Sequence, residues 1–268
     1  MDIRSTRGTD YQRVNRPIGV LVDEYPAGFI DPPHRHERAQ LVYATSGVMS
    51  VITDQASFTI PPQRGVWIPA GIRHEAQCRG SVSLKTLYVE PEADTRMPKH
   101  CMSVKISGLL RELIIEAGSL PVEYNLDGRE ARIMALILDE IAEAVSHRET
   151  PLNLPMPADP RLIRICRAIM TDPASEDDLD HWSEVACMGR RTLTRAFRRE
   201  TGITFAEWRQ QARLAEAVSM LAMGKPVTTV AYEVGYNSPS AFGTMFQRAF
   251  GTSPSQYFEQ AGKARTAE

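Results

Sequence analysis

Three histidines near the start of the sequence have a spacing that suits ligand binding. His34 and His36 are two residues apart, and His74 follows in a later segment. Side chains two residues apart on a β-strand point to the same face, so we expect His34 and His36 to converge, joined by His74 from another strand. Imidazoles grouped in this way bind a divalent metal or line a polar ligand pocket. The sequence predicts one of these two sites.

A second group of chemically active side chains is an arginine-rich segment late in the chain. Leu193, Ala196 and Phe197 have the spacing of the buried stripe of a helix over residues 190–200. The arginines all fall outside that stripe: Arg190, Arg191, Arg195, Arg198 and Arg199. Such a helix face contacts DNA phosphates and guanine edges, or it is simply solvated. A short helix predicted over residues 178–187, followed by a tight turn, favours DNA.

The same helix-turn-helix pattern recurs further along the chain. Residues 227–234 predict a short helix, and Gly235 follows Ala231 at the spacing of the small residue and the turn glycine of a helix-turn-helix unit. Ser238 is then placed to cap a second helix, in which Phe242, Phe246 and Phe250 recur at four-residue steps. Two tandem helix-turn-helix units are therefore predicted.

A single helix is predicted to join the two units. Apolar residues recur at helical steps from Phe205 to Met223, and Gly224 and Pro226 end the pattern. At 1.5 Å per residue this helix is roughly 28 Å long. Successive major-groove faces of B-DNA lie about 34 Å apart, so the helix and its turns match the separation that two recognition helices need.

Composition restricts where and how the chain acts. A hydrophobic content of 43% and a charged content of 24% are those of an ordinary globular protein. The net charge of −2 predicts that any DNA contact comes from a local basic patch. Scattered cysteines without a CxxC pair argue against a zinc ribbon or a disulfide framework. No apolar run predicts a membrane span or a signal segment, so we expect a cytoplasmic protein without a membrane partner.

The pattern of the chain changes from strands to helices. Short β-branched or aromatic runs punctuated by Gly and Pro predict a small barrel or sandwich over about residues 17–95. The clearest of these runs are residues 18–22, 41–44, 48–52 and 84–89. Amphipathic helices are predicted over residues 107–117 and 129–145, and the stripe of the second is wide enough to pair two subunits. Four prolines between residues 150 and 160 predict a domain boundary.

The C-terminal pattern resembles the DNA-binding domain of the AraC/XylS family from about residue 179 to residue 257. The resemblance is carried by residues 191–202 (RTLTRAFRRETG), residues 230–236 (VAYEVGY), Ser238, Phe242, Phe246 and residues 250–257 (FGTSPSQY). It covers both helix-turn-helix units in register. The family implies a transcription regulator that binds double-stranded operator DNA and, if it is an activator, RNA polymerase.

The resemblance also implies which side chains meet DNA. In the first unit, Arg191, Thr194 and Arg195 would contact base edges, with Arg190, Arg198 and Arg199 nearby or at phosphates. In the second unit, the corresponding positions are Ser238, Pro239, Ser240, Ala241, Gly243 and Thr244. Thr244 stands where the family often has Arg. The second helix is therefore predicted to position the protein on the DNA backbone and to recognise the shape of the DNA, more than to read base edges. Cys187 replaces the usual turn glycine of the first unit.

The histidine group resembles the two motifs of the cupin barrel, in which two His, a Glu and a further His bind metal. Here Gln40 stands at the glutamate position, and a neutral amide is a weaker ligand than a carboxylate. The alternative is that His34, His36 and His74 line a polar or effector pocket in a metal-free barrel. A divalent metal is thus a candidate cofactor and a small-molecule effector a candidate ligand. We interpret Trp67 and Tyr43 as packing residues of the barrel.

Together these observations predict an α+β chain of two domains. A cupin-like sensor domain would occupy residues 1–150, with a barrel at about 17–95 and a helical pair at about 105–147. A Pro-rich linker would follow at 151–160 and an all-α DNA-binding domain at 161–268. The predicted function is an effector-responsive, sequence-specific transcription regulator, a candidate homodimer and no enzyme. The alternatives are a metal-responsive regulator that uses the three histidines, and a metal-dependent cupin enzyme.

Overall fold

The computed structural model describes residues 5–146 and 152–257, and the chain divides into two compact units. Among the described residues, the first unit contains residues 5–51 and 60–146, and the second contains residues 52–59 and 152–257. Position 147 of the predicted helical pair, position 151 of the predicted linker and the tail from residue 258 lie outside the described residues.

An antiparallel sheet and a pair of helices make up the first unit. Its strands are β1 (Ile18–Tyr25), β2 (Ile30–His34), β3 (Ala39–Thr53), β4 (Ala56–Ile60), β5 (Arg64–Ile68), β6 (His74–Val89) and β7 (Met102–Lys105), with most of β4 and the end of β3 assigned to the second unit. The helices are α1 (Gly108–Ala117) and α2 (Arg129–Ser146). The β1–β6, β2–β6, β3–β5 and β5–β7 pairs are all antiparallel. The predicted strand-rich N-terminal domain is confirmed as an antiparallel sheet domain, and both predicted helices are confirmed.

One face of this sheet packs against the two helices. Leu41 and Tyr43 of β3 and Leu87 of β6 share a buried core with Ile114 of α1 and Ile137 of α2. Because side chains alternate along a strand, the residues between them point to the opposite face. That opposite, inner face therefore carries polar residues of β3 and β6, among them Gln40 and Thr86, which are both buried.

Two predicted strands, residues 41–44 and 48–52, are one long strand in the structure. β3 runs without a break from Ala39 to Thr53. The sequence pattern predicts that Gly47 separates two strands. In the structure Gly47 has a φ of 78° and lies so close to the carbonyl of Ser81 that a Cβ atom would overlap it. Glycine marks a close approach between backbones here, a role that glycine inside a strand often has.

The apolar stripe of α2 is used inside its own unit. Ile133, Ile137 and Ile141 are buried in the core beneath the sheet. Leu136 is 39% exposed, and its charged neighbour Asp139 is also exposed. The predicted pairing of two subunits through α2 therefore depends on a much narrower apolar surface than the sequence pattern indicates, and it stays a prediction.

The second unit is helical, as predicted. Its helices are α3 (Pro160–Thr171), α4 (Leu179–Ala186), α5 (Arg190–Thr201), α6 (Phe205–Ala222), α7 (Val227–Glu233) and α8 (Pro239–Phe250). Side-chain oxygens of Asp159, Asp178, Thr204 and Ser238 cap α3, α4, α6 and α8. Such caps satisfy amide groups that the first turn of a helix leaves unpaired, which is why these helices start where they do. Apart from α3, which the sequence pattern did not delimit, each helix matches its predicted range within two residues.

The proline-rich segment forms a strand where only a linker was predicted. β8 (Asn153–Pro155) pairs antiparallel with the Ala56–Phe58 part of β4. Leu152 and Leu154 are buried, and the carbonyl of Pro155 accepts a hydrogen bond from the indole of Trp208 at 2.8 Å. Proline favours extended backbone and is tolerated at sheet edges, so the same residues suit a short edge strand.

Two aromatic cores hold the helical unit together. The first surrounds Phe197 and Trp208, which are fully buried. The second surrounds Phe242 and Phe246, also fully buried. Among the described residues, no helix has both the length and the apolar character needed to cross a bilayer.

The turn glycine of the second helix-turn-helix unit provides a test of this packing. Gly235 has a φ of 82°, and a Cβ there would lie 3.0 Å from the Cα of Ala174. We expect Gly235→Ala to lower the free energy of unfolding by roughly 1–2 kcal/mol, because an L side chain is strained in this conformation. Chemical denaturation followed by circular dichroism measures the change.

Gly243 is the matched control for that substitution. It lies inside α8, and no atom is within 4 Å of a Cβ built on it. Gly243→Ala should therefore raise the free energy of unfolding by about 0.5–1 kcal/mol, since alanine favours a helix over glycine. Equal effects of the two substitutions would contradict the assigned geometry.

Candidate functional site

The turn between α4 and α5 has the left-handed geometry of a helix C-cap. Cys187 has a φ of 51° and is the one non-glycine residue with positive φ in the described parts of the chain. The amide of Cys187 donates to the carbonyl of Glu184, and the amide of Met188 donates to that of Ser183, both at 2.9 Å. The chain thus makes the turn without the usual glycine.

The turn between α7 and α8 repeats this geometry with glycine. The amide of Gly235 donates to the carbonyl of Tyr232 at 3.0 Å, and the amide of Tyr236 donates to that of Ala231 at 2.9 Å. Both hydrogen bonds correspond to those of the first turn. Cys187 therefore occupies the turn position, and its replacement of glycine leaves the geometry of the turn intact.

The buried side of α5 fixes the direction of its arginines. Phe197 packs edge-on against Phe205 at 5.2 Å and against Trp208 at 5.9 Å between ring centroids. With Leu193, Ala196 and Phe197 buried, the opposite side of the helix is exposed. That side carries all five predicted arginines: Arg190, Arg191, Arg195, Arg198 and Arg199. The structure thus places them on one continuous surface, which we call the α5 face.

Ion pairs separate these arginines into two sets. Arg190 lies 3.3 Å from Asp180, and Arg199 lies 3.0 Å from Glu200. Arg191, Arg195 and Arg198 form no ion pair with any residue that the structure describes. Their guanidinium groups are therefore available to an external anion or base edge. Thr194 is half-buried and its hydroxyl donates to the carbonyl of Arg190 at 3.0 Å, so it offers only an acceptor outward.

The corresponding surface of α8, the α8 face, is poorer in charge. Ser240, Ala241 and Thr244 are exposed, as predicted for DNA contact, whereas Pro239 and Gly243 are half-buried. The hydroxyl of Ser238 is used to cap the helix, accepting from the amide of Ala241 at 3.2 Å, and that of Thr244 donates to the carbonyl of Ser240 at 3.0 Å.

Two exposed residues of α8 were not predicted from the sequence as DNA contacts. Gln247 and Arg248 continue the α8 face one turn beyond Thr244 and are both exposed. When α5 and α8 are aligned on Phe197 and Phe246, these two residues match Arg198 and Arg199. Extending the four-residue period of the buried phenylalanines by one turn would have found them. The α8 face thus carries one arginine, against five on the α5 face.

Two arginines of α6 hold both helix-turn-helix units. Arg209 donates to the carbonyls of Ser175 and Asp177 at 2.6 and 2.7 Å, just before α4. Arg213, one turn further along, donates to the carbonyl of Pro173 at 2.9 Å and to that of Gly235 at 3.2 Å. One guanidinium therefore joins the entrance of the first unit to the turn of the second.

In the first unit, the structure brings the three predicted histidines together. The Nε2 atoms of His34 and His36 lie 3.1 Å apart. The ring centroid of His74 lies 4.4 Å from that of His34 and 5.3 Å from that of His36. One ligand atom from each ring lies within 4.8 Å of the other two. The register between β2 and β6 pairs His34 with His74. His36 lies two residues beyond the end of β2, so it joins the cluster from the connection to β3 and not, as expected, from the same strand as His34.

Burial keeps two of these imidazoles neutral. His74 is 3% exposed, and its burial lowers its pKa to about 4. Burial, followed by the neighbouring His34 and His74, lowers the pKa of His36 to about 3. Neutral imidazoles keep a lone pair for a metal ion or a hydrogen-bond donor.

The surroundings of the histidines are polar but incompletely paired. The ring of His36 contacts that of Tyr88 edge-on at 5.0 Å. Thr86 lies two residues before Tyr88 and so on the same face of β6. The Thr86 hydroxyl and the Gln40 amide oxygen are both buried and have no hydrogen-bond partner among the described residues. Gln40, predicted at the glutamate position of the cupin motif, is buried on this inner face, and no hydrogen bond among the described residues joins it to a histidine.

An N-terminal segment covers this region. Gly8 lies against the hydroxyl of Tyr88 and the ring of His36, where no Cβ atom would fit beside the hydroxyl. Arg38, which is 5% exposed, holds the segment and also pairs with Glu90 at 2.6 Å. Its guanidinium donates to the carbonyl oxygens of Gln12, Val14 and Arg16.

Trp67 and Tyr43 are packing residues, as predicted. Both are buried in the core shared with α1 and α2. The indole of Trp67 donates to the carbonyl of Pro98 at 3.0 Å.

Comparison with known proteins agrees with both units. A helix-turn-helix domain family matches residues 182–260, and the AraC-like ligand binding domain family matches residues 21–137. The HTH-type transcriptional regulator NimR of Escherichia coli is 33% identical over 226 residues, which cover 84% of this chain and 81% of that protein. The arabinose operon regulatory protein of E. coli is 27% identical over 135 residues, covering 49% of this chain and 46% of that protein. ToxT from Vibrio cholerae O395 aligns with a TM-score of 0.39 and 12% identity, over 94% of this chain and 99% of that structure.

Paired helix-turn-helix units beside an AraC-like ligand binding domain define a class of DNA-binding transcription regulators. The chain belongs to the AraC family of HTH-type transcriptional regulators. It is a DNA-binding transcription regulator with an N-terminal ligand-binding domain, as the sequence predicted.

The bridging role of Arg213 is open to direct test. Arg213→Met keeps the apolar stem and leaves the carbonyls of Pro173 and Gly235 without this donor. We expect it to lower the free energy of unfolding of the chain by about 2 kcal/mol, the scale of one or two charged hydrogen bonds. Arg248→Met, at an exposed arginine of α8, is the control in chemical denaturation, and equal stability of the two variants would show that Arg213 is dispensable.

Proposed function

We propose that the chain controls transcription in response to a small molecule and reads its operator mainly through the α5 face. The observation that carries this proposal is the contrast between two helices built on the same scaffold. The α5 face offers five arginines and the α8 face one. Both helices bury phenylalanine, Phe197 in α5 and Phe242 and Phe246 in α8, so the contrast in charge lies on their exposed sides.

The chemistry of DNA recognition explains how the two faces would divide the work. Arginine makes bidentate hydrogen bonds to guanine in the major groove, and each such pair discriminates against a wrong base. Arg191 and Arg195 are exposed and without an ion pair among the described residues, so they suit this role. The α8 face offers short side chains and one cation, which suits phosphate contact and recognition of groove shape.

Unpaired polar atoms support an effector site on the inner face of the sheet. Buried polar groups are almost always hydrogen-bonded, so Gln40 and Thr86 call for partners. A polar small molecule beside Tyr88 and the histidines would supply them. To act as an effector, that molecule must bind the DNA-competent and DNA-incompetent states with different affinity.

The remaining partners follow from this role. The regulator would form a homodimer and act in the cytoplasm, beside the chromosome. If it activates transcription, it would also contact RNA polymerase. A metal-dependent enzyme receives no support, because Gln40 stands where such a site needs a carboxylate. NimR and the arabinose operon regulatory protein, two of the related proteins, are named as regulators of transcription.

A mobility shift on the DNA upstream of the chain's own coding region tests the proposal. The full-length chain should bind this DNA more tightly than random DNA at a stated salt concentration. Adding candidate small molecules one at a time should reveal one that changes the affinity. Equal affinity for upstream and random DNA, across a panel of promoter fragments, would contradict sequence-specific regulation.

Arg195 is expected to read a base edge. Arg195→Ala should cost about 1–3 kcal/mol of operator affinity and relax the sequence preference at one position. Arg199→Ala is the matched comparison: it should weaken binding to all sequences alike and flatten the salt dependence by roughly one unit, as a phosphate contact does. Binding selections with randomised DNA measure the sequence preference, and DNA titrations at several salt concentrations measure the salt dependence. An equal loss of affinity for operator and random DNA in Arg195→Ala would refute the role of Arg195.

The asymmetry of the two faces gives a further expectation. Thr244→Ala should change operator affinity by less than about 0.5 kcal/mol, the usual range for an exposed side chain outside a specific contact. Arg248→Ala should reduce affinity for operator and random DNA equally. If Thr244→Ala relaxes the sequence preference as much as Arg195→Ala, the two faces share the readout.

A further inference from the structure

We propose that His34, His36 and His74 bind one divalent transition-metal ion of the zinc class through their Nε2 atoms. This site goes beyond the effector response proposed above. Its test needs neither DNA nor an effector, so its failure and the failure of the regulatory proposal are distinguishable.

The distances among the three rings already approach those of a metal site. Zinc binds imidazole nitrogen at about 2.0–2.1 Å, so tetrahedral ligand atoms lie about 3.3 Å apart. The Nε2 atoms of His34 and His36 are 3.1 Å apart. The ligand atom of His74 lies within 4.8 Å of both. An approach of His74 by up to about 1.5 Å would complete three-coordinate binding.

Hydrogen bonds to backbone carbonyls select the ligand atoms. The Nδ1 atom of His34 lies 2.7 Å from the carbonyl of Pro32, and that of His74 lies 3.0 Å from the carbonyl of Ile72. Because a carbonyl only accepts, each Nδ1 carries the proton and each Nε2 keeps its lone pair. Histidines that bind metals are commonly oriented by this kind of hydrogen bond from the second ring nitrogen.

A purely structural role explains the cluster less well. Three imidazoles packed together share one hydrogen bond, the contact between His34 and His36, in the described part of the chain. His74 is almost fully buried, and its hydrogen bond to the carbonyl of Ile72 uses only one of its two ring nitrogens. A metal ion would satisfy all three rings at once.

The donor set indicates which ions bind. Imidazole nitrogen suits Zn²⁺, Co²⁺, Ni²⁺ and Cu²⁺, whereas Mg²⁺ and Ca²⁺ prefer oxygen ligands. Three protein ligands leave at least one coordination position open, as in zinc sites that bind an exchangeable ligand. The three ligands are neutral, and the carboxylate of Asp31 lies 3.7 Å from the Nδ1 of His34, on the side of the ring away from the ion. The ion therefore keeps its charge at the open position, which favours an anionic fourth ligand.

Cobalt is a suitable probe because its visible absorption reports the ligands. We would titrate Co²⁺ into the tag-free, full-length, metal-free chain and then displace it with Zn²⁺. We expect one Co²⁺ per chain with nitrogen-type absorption and no thiolate charge-transfer band. His34→Gln, His36→Gln and His74→Gln should each weaken binding at least roughly tenfold, since even loss of an orienting partner costs that much.

Matched controls locate the ion. His100 is exposed in the same unit, and His181 is exposed on α4, so His100→Ala and His181→Ala should bind Co²⁺ like the parent chain. Cys187 is the exposed cysteine, and Cys187→Ser should leave the absorption unchanged. Circular dichroism without metal checks that each variant is folded.

One outcome would overturn the site: a Co²⁺ affinity that stays the same when all three histidines are replaced by glutamine. If His74→Gln fails to fold because His74 is buried, His34→Gln and His36→Gln decide the question, since the side chain of His34 is 27% exposed and tolerates exchange.

Discussion

The guanidinium groups of Arg209 and Arg213 set the relation between the two helix-turn-helix units. Both donate to backbone carbonyls that precede α4, and Arg213 also donates to the carbonyl of Gly235 in the second turn. Charged hydrogen bonds to carbonyls are stronger than neutral ones, and arginine holds several in a fixed fork. The recognition helices are therefore carried by one rigid element, α6, which is roughly 27 Å long at 1.5 Å per residue.

On this shared frame the two recognition helices differ most in the charge of their exposed sides. Aromatic side chains anchor both helices, with Phe197 against Trp208 in the first core and Phe242 against Phe246 in the second. The turn before each helix is left-handed in both units, although one uses cysteine and the other glycine. Buried side chains are held by close packing, whereas an exposed face is free to change. This difference is the basis of the proposal that one unit reads bases and the other holds the DNA backbone.

In the first unit, the outer face of the sheet is closely packed, whereas the inner face carries buried polar atoms that have no hydrogen-bond partner among the described residues. Leu41, Tyr43 and Leu87 are fully enclosed by α1 and α2. On the inner side, Gln40 and Thr86 are buried without partners and the three histidines converge. Unsatisfied polar groups reduce stability, and they persist mainly where a ligand uses them. This contrast supports the proposals that ligands bind at the inner face, whereas the outer face holds the helices.

Local patterns in the sequence determined the helices, the duplicated units and the exposed arginines. Caps and the 3.6-residue period involve only neighbours in the chain, so α4 to α8 and the direction of the α5 face were predicted closely. Tertiary structure alone decided the strand β8, the single long β3 at Gly47, the carbonyl contacts of Arg213 and the distances among the histidines. Each of these depends on residues far apart in sequence, and no periodicity records which backbone atoms meet. The sequence supplied the three imidazoles, and the register of β2 with β6 brought them within reach of one another.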